Sequence, residues 1–180
     1  MRIGFLLALM VACSKGEESP TTPDGSTDSG MTDTGAEAEE APPPLMNGLY
    51  SSGFLVGPVA GLVVGLQLEF EMSMDDDQNR TIDRVVLRAA NDAGEVSEDL
   101  AEATSIPVDS DGNMTVDWPL FTLPAAFSPT SGDVDIESVM VGQIRSEDFA
   151  CGEVQGEIVS FSMDLAGSTF GTTPWDERIL

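Results

Sequence analysis

The chain lacks histidine altogether, and its seven basic residues stand against 32 acidic ones. Without histidine a Ser-His-Asp triad is impossible, and the commonest side-chain ligand of metals such as zinc is missing. Beyond residue 44 lysine is absent too, which leaves five arginines against 24 acids. Nucleic acids and anionic lipid surfaces are bound through clustered basic residues. The charge balance therefore excludes nucleic acid as a partner, and it excludes binding of this acidic region to a lipid surface through its charges.

Long apolar runs are also absent from the N-terminus. The run from Ile3 to Val11 is too short to cross a membrane, because a spanning helix needs about 20 apolar residues. Arg2 precedes this run and Ala12 follows it. A basic start, a short apolar core and a small residue before the cleavage point are typical of secretory signal peptides. We therefore predict that residues 1–12 form a cleaved signal peptide.

The last residues of this signal point to a lipid anchor. Met10-Val11-Ala12-Cys13 resembles the lipobox of bacterial lipoprotein signal peptides. The resemblance covers the first 14 residues and implies that Cys13 is lipidated, becomes the new N-terminus and ties the protein to a membrane, since several acyl chains give stable attachment. Because Ser14 and not aspartate follows, it further implies the outer membrane, on its periplasmic face or at the cell surface. The alternative is an ordinary signal peptide in which Cys13 is incidental.

Residues 13–44 are predicted to be the lipidated cysteine followed by a disordered acidic linker. Residues 14–44 contain eight acids, a single base and almost no large apolar side chains. Such a segment buries too little apolar surface to offset the entropy of ordering its backbone. We interpret it as a spacer that holds the next domain about 30 Å from the membrane; the alternative is an acidic docking tail.

Only two cysteines occur in the chain. If Cys13 is lipidated, Cys151 is the only thiol left and no intramolecular disulfide can form. We expect Cys151 to be buried as a small apolar residue, because histidine and lysine are absent around it and nothing obvious would activate its thiol.

Residues 45–180 are predicted to be one antiparallel β domain, either a β-sandwich or a small β-barrel. Apolar and polar residues alternate with a period of two in several runs, which is typical of half-buried strands, and turn residues separate the runs. Seven or eight short strands with hairpin-like turns favour these two architectures. A change of parity after Ile158 predicts a β-bulge or a strand bend there, and residues 94–103 are the one stretch that favours a short helix. The candidate strands are 48–56, 62–72, 81–89, 113–118, 133–145, 153–165 and 168–172.

Residues 142–145 and 151–158 resemble the paired C-terminal strands of small β-rich lipoproteins with uncharacterised domains. The resemblance covers roughly the last fifty residues and implies no activity.

Calcium is the candidate metal. Asp109, Asp111 and Asn113 alternate in one turn, and residues 75–77 supply three more carboxylates. Calcium takes six to eight oxygen ligands, but the EF-hand spacing is not met, and Asp-Gly between strands is also a strong hairpin signal. The turn is therefore either a plain hairpin or a weak calcium site. No other cofactor and no catalytic residue is predicted.

These patterns favour a lipid-anchored envelope lipoprotein with a non-enzymatic binding or structural role. A barrel could hold a small apolar ligand, and a sandwich would rather engage another envelope protein. The apolar run 118–127, interrupted by prolines, is either a cavity-lining loop, a contact patch or a segment packed over one end of the domain. The alternatives are a calcium-stabilised adhesion module and a hydrolase that uses paired carboxylates.

Overall fold

The computed structural model describes residues 44–175, and this part of the chain contains nine β-strands, one 3₁₀ turn and no α-helix. The predicted all-β class is therefore confirmed. The 3₁₀ turn is Val159–Phe161. The strands are β1 Gly48–Leu55, β2 Val63–Met74, β3 Arg80–Ala89, β4 Ala101–Val108, β5 Asn113–Leu123, β6 Val134–Ser146, β7 Phe149–Ile158, β8 Met163–Asp164 and β9 Ser168–Pro174.

The strands form one antiparallel sheet that curls into a nearly closed up-and-down barrel. Their order is β4-β3-β2-β1-β9-β7-β6-β5, and the short β8 pairs with β7. The two ends of this order, β4 and β5, are consecutive in the chain and contact each other, but within residues 44–175 no ladder joins them. The barrel thus has one seam, and each seam strand contains a proline, Pro107 or Pro119. Proline lacks the backbone N–H of a ladder and is confined to such edges.

Alternation of side chains builds the core inside the barrel. In β5, Met114, Val116 and Trp118 are buried, and the residues between them are exposed. The register shifts between Trp118 and Phe121, so that Phe121 and Leu123 become the inward residues and Leu120 turns outward, 60% exposed. A bulge of this kind changes which face a side chain occupies. The run 118–127 is therefore largely a continuation of β5.

One local prediction is wrong. Residues 94–103 contain no helix: Asn91 Oδ1 accepts hydrogen bonds from the backbone N–H groups of Ala93 and Glu95, which makes a turn, and Ala101 then pairs with Leu87 on β3. The backbone pairing of this segment with β3 outweighs its weak local preference for a helix. Of the two alternatives at the change of parity after Ile158, the structure shows no β-bulge: β7 ends there and the chain bends away in the 3₁₀ turn.

The predicted pairing of the two C-terminal segments is confirmed, since Gly142 on β6 lies opposite Gly152 on β7. Phe170 on β9 is paired with Gly152 and packs against both glycines. A Cβ atom on Gly142 would lie 2.5 Å from the Phe170 ring, and one on Gly152 would lie 2.9 Å from it. The ring therefore occupies the space that two missing side chains leave inside the barrel.

Candidate functional site

The three residues of the predicted calcium site lie together in the exposed turn between β4 and β5. Asp109 Oδ1 accepts hydrogen bonds from the backbone N–H groups of Asp111 (2.9 Å) and Asn113 (2.8 Å), and Oδ2 accepts one from Asn113 Nδ2 at 2.8 Å. The Asn113 side chain, followed by these backbone donors, lowers the pKa of Asp109. The carboxylate thus already closes the turn.

The turn between β2 and β3 repeats this arrangement. Asp75 Oδ1 accepts from the backbone of Asp77 and Asn79, and Asn79 Nδ2 donates to Oδ2, each at 2.9 Å. Hydrogen bonding from the Asn79 side chain is the main cause that lowers the pKa of Asp75. Across residues 44–175 no group of three or more His, Cys, Asp or Glu side chains is arranged to hold a metal ion. Calcium binding stays a prediction, and the geometry explains these motifs as turn closures.

The predicted lipidation site, Cys13, lies outside the described residues. Cys151 on β7 is buried as expected, at 3% exposure. Since the chain has two cysteines, an intrachain disulfide at Cys151 and a lipid on Cys13 exclude each other.

Inside the barrel there is a small cavity of about 30 Å³. An engineered cavity of about 150 Å³ is needed to hold a molecule the size of benzene, whereas about 10–15 Å³ is enough for one water. The Trp118 indole N–H is buried in this wall and has no hydrogen-bond partner among the described residues. The cavity is lined by Phe54, Val64, Leu66, Leu87, Trp118, Phe121, Leu123, Ile136, Ser138, Met140, Val154 and Phe170. Side chains therefore fill the barrel and leave room for water there, not for an apolar ligand.

On one half of the outer surface, formed by β2, β3 and β4, arginines form ion pairs with the acids around them. We call this half the paired face. Arg88 forms ion pairs with Glu69 (2.8 Å) and Asp99 (2.6 Å). Arg84 forms ion pairs with Glu102 (2.9 Å) and Glu71 (3.3 Å). Two arginines thus hold four acids across the neighbouring elements.

The paired face also covers an apolar residue. Val86 pairs with Glu69 on one side and Glu102 on the other, between Arg84 and Arg88 along β3. It points away from the barrel interior but is 0% exposed. Arginine can cover apolar surface with its aliphatic stem while its guanidinium stays at the surface. We therefore attribute the burial of Val86 to the aliphatic stems of Arg84 and Arg88.

The opposite half, formed by β5, β6, β7 and β8, carries a group of acids to which no base is adjacent, because its arginine, Arg145, lies eight residues along β6 from Glu137. We call Asp117, Glu137, Glu157 and Asp164 the acidic face. Glu137 lies directly opposite Glu157, and Glu157 directly opposite Asp164. All four are exposed, and none forms an ion pair with a basic side chain among the described residues. Like charges directly opposite one another destabilise a sheet, so this arrangement costs folding free energy.

A groove of about 540 Å³ runs through the acidic face. Its floor includes Ser138, which is 5% exposed, and Gly156, which has a φ of +123°. A Cβ atom on Gly156 would lie 2.2 Å from the carbonyl oxygen of Glu137, so the close approach of β6 and β7 at this point requires glycine. Exposed apolar side chains occur beside it, because Leu120 sits in the β5 bulge and Phe161, 52% exposed, in the 3₁₀ turn.

Comparison with known proteins returns no match: neither a family model, nor a curated protein, nor a solved structure resembles this chain. Within residues 44–175 no helix has the length and apolar character needed to cross a membrane. The acidic face was not predicted from the sequence. Its acids stand at outward positions of alternating runs, which is the only signal they carry, and their adjacency follows from the register of three strands.

Proposed function

We propose that this chain is a lipid-anchored envelope lipoprotein whose β-barrel acts as a non-enzymatic binding module through its outer surface. The anchor is supported by the lipobox-like residues Met10 to Cys13, and a linker of roughly thirty residues would let the domain reach a partner. The observation that carries the surface role is the filled interior, whose cavity of about 30 Å³ is far below the roughly 150 Å³ that accommodates benzene. Of the two predicted partners, an envelope protein therefore fits better than a small apolar ligand.

The hydrolase alternative is weaker, because the candidate carboxylates are exposed to solvent. A glycosidase needs one carboxyl that stays protonated because its surroundings are desolvated. Glu137 and Glu157 are neighbours across two strands, but both are exposed to solvent. The calcium-stabilised adhesion module is weaker because Asp109 already accepts three hydrogen bonds within its own turn.

The anchor is tested by expressing the full chain with its own N-terminus in a diderm bacterium and measuring its intact mass and membrane fractionation. We expect loss of residues 1–12, a mass increase from a diacylglycerol and an acyl chain, and recovery in the membrane fraction. The variant Cys13→Ser should lose both the added mass and the membrane association. An unacylated wild-type chain with Cys13 in a disulfide with Cys151 would contradict the proposal.

A further inference from the structure

The interior cavity of about 30 Å³ has one polar side. Of the residues that line it, Trp118 on β5 and Ser138 on β6 carry a polar side-chain group, and the others are apolar. The two residues lie directly opposite each other in the β5–β6 pairing. Both occupy inward positions of their strands and are 1% and 5% exposed. Two facing residues on adjacent strands thus form the polar part of an apolar interior.

The indole N–H of Trp118 lacks the hydrogen bond that a buried donor normally makes. Its Nε1 atom is buried and has no partner among the described residues, although it belongs to the cavity wall that Ser138 shares. Buried polar groups in folded proteins are nearly always hydrogen-bonded to protein or to ordered water, because an unpaired one costs its full desolvation penalty. Two neighbouring polar groups without a direct bond are commonly bridged by a water molecule.

The cavity has the size and the chemistry that a bound water requires. A site needs about 10–15 Å³ to hold one water molecule and should offer it two to four polar partners. The cavity of about 30 Å³ meets the first condition. The indole N–H can donate to the water oxygen, and the Ser138 hydroxyl can donate to the water or accept from it. The polar side of the cavity therefore supplies two partners.

The backbone beside this polar pair is irregular. Within residues 44–175, β5 has a ladder with β6 alone, because its other edge faces the seam. Its register shifts directly after Trp118, so Pro119 and Leu120 lie outside the ladder. The seam strand thus leaves its ladder just where the indole and the Ser138 hydroxyl share the cavity. A water between the two side chains would link β5 to β6 from inside the barrel at this point.

We propose that the interior cavity binds one ordered water molecule, which accepts a hydrogen bond from the Trp118 indole N–H and bonds the Ser138 hydroxyl. The water is a structural component of the barrel: it pairs a buried donor, links the seam strand to β6 and occupies the volume that an apolar ligand would need. This inference goes beyond the proposed surface role, and it does not depend on the lipid anchor.

The test is nuclear magnetic resonance of the ¹⁵N-labelled full chain in nonionic detergent, with magnetisation transfer from water to the indole protons. The chain has two tryptophans, and the variant Trp175→Phe assigns their signals. At the Trp118 indole proton we expect Overhauser effects of opposite sign in the laboratory and rotating frames, which mark a water that stays bound for as long as the protein takes to tumble. Trp175 is half-buried and does not line the cavity, so its indole proton is the internal reference and should lack this signature.

Two substitutions of Ser138 separate a bound water from the serine hydroxyl, whose proton exchanges with water. Ser138→Ala removes the hydroxyl and enlarges the cavity, so the signal at Trp118 should persist. Ser138→Val fills the cavity with methyl groups and should abolish the signal. The matched control is Ser52→Val, because Ser52 is also a buried serine, 4% exposed, but does not line the cavity. It should leave the signal in place.

Absence of the signal in the wild type would overturn the proposal. Loss of the signal in Ser138→Ala would overturn it too, because the hydroxyl proton and not a water would then be its source. Persistence in Ser138→Val would place the water outside this cavity, with the same consequence. A dry apolar cavity takes up xenon, so shifts of the Val64, Leu66 and Leu87 methyl signals under xenon pressure would also contradict a bound water. The mass and fractionation experiment tests the lipid anchor separately from all of these measurements.

Discussion

Replacement of Gly152 by alanine tests the central packing of the barrel most directly. A Cβ atom at this position would lie 2.1 Å from the carbonyl oxygen of Val141, 2.5 Å from the Cα of Gly142 and 2.9 Å from the Phe170 ring. Two of these three atoms belong to the backbone of the paired strand and cannot move aside without distorting the β6–β7 ladder. Overpacking of a core costs about 1–3 kcal/mol, and a clash with backbone falls at the upper end of that range.

We therefore expect Gly152→Ala to lower the free energy of unfolding by about 3 kcal/mol, which corresponds to a fall in Tm of about 10 °C for a domain of this size. Differential scanning calorimetry and urea denaturation of the full chain measure both quantities. The matched control is Gly132→Ala, because a Cβ there meets no atom within 4 Å. Its free energy of unfolding should stay within about 0.5 kcal/mol of the wild type.

A second variant distinguishes a clash with a side chain from a clash with the backbone. At Gly142 the nearest atom to a Cβ belongs to the Phe170 side chain, at 2.5 Å. Shortening that ring by Phe170→Leu should therefore offset part of the cost of Gly142→Ala and much less of the cost of Gly152→Ala, a non-additivity measured by double-mutant cycles. If Gly152→Ala melts within about 2 °C of the wild type, the pairing of β6 with β7 under Phe170 is wrong.

Three further outcomes follow from charged groups. Arg80 is 6% exposed and its Nε has no partner among the described residues. Arg80→Met should therefore raise the free energy of unfolding by about 1 kcal/mol in urea titrations. A fall in the free energy of unfolding by about 1 kcal/mol would contradict this reasoning. Hydrogen bonds lower the pKa of Asp75 and Asp109. The two ionised carboxylates therefore stabilise the folded state fully at neutral pH, and this stabilisation disappears as the pH falls through their folded pKa. The stability difference between the wild type and Asp75→Asn/Asp109→Asn should therefore shrink below about pH 4, and a difference constant down to pH 2 would refute it. Arg88→Met should cost about 1 kcal/mol through the ion pair with Glu69, and less in 1 M NaCl; an effect independent of salt would assign the loss to packing.

The fold class could be read from the sequence because its strongest patterns are local. Inward residues of β2 recur at every second position from Val64 to Met72, and the alternation in β5 is equally regular up to Trp118. The two Asp-to-Asn turns, between β2 and β3 and between β4 and β5, also carry their own hydrogen bonds. Such features need no knowledge of distant residues, and the all-β prediction depended on them alone.

Strand β4 was not predicted because its sequence shows no clear preference for a strand. Ala101–Val108 contains small and polar residues and a proline, and the segment is a strand through its ladder with β3. The acidic face escaped for a related reason. The adjacency of Glu137, Glu157 and Asp164 depends on the register of β6, β7 and β8, and a shift by one residue would move a side chain to the other face. Register is a property of the assembled sheet.

The seam between β4 and β5 makes this barrel open to rearrangement of its chain order. Nearly every strand pairs with the one before it in sequence, and the pairing of Tyr50 with Pro174 closes the circle by bringing the two ends of the described chain together. Trp175 N–H even donates to the carbonyl of Leu49 at 2.9 Å. Cutting the β4–β5 turn sacrifices no ladder, and a short linker between residues 175 and 44 would span neighbouring strands. A circular permutant that starts at Asn113 and ends at Val108 would thus keep every strand pairing, and its new termini would lie at the seam, at the same end of the barrel as residues 44–48.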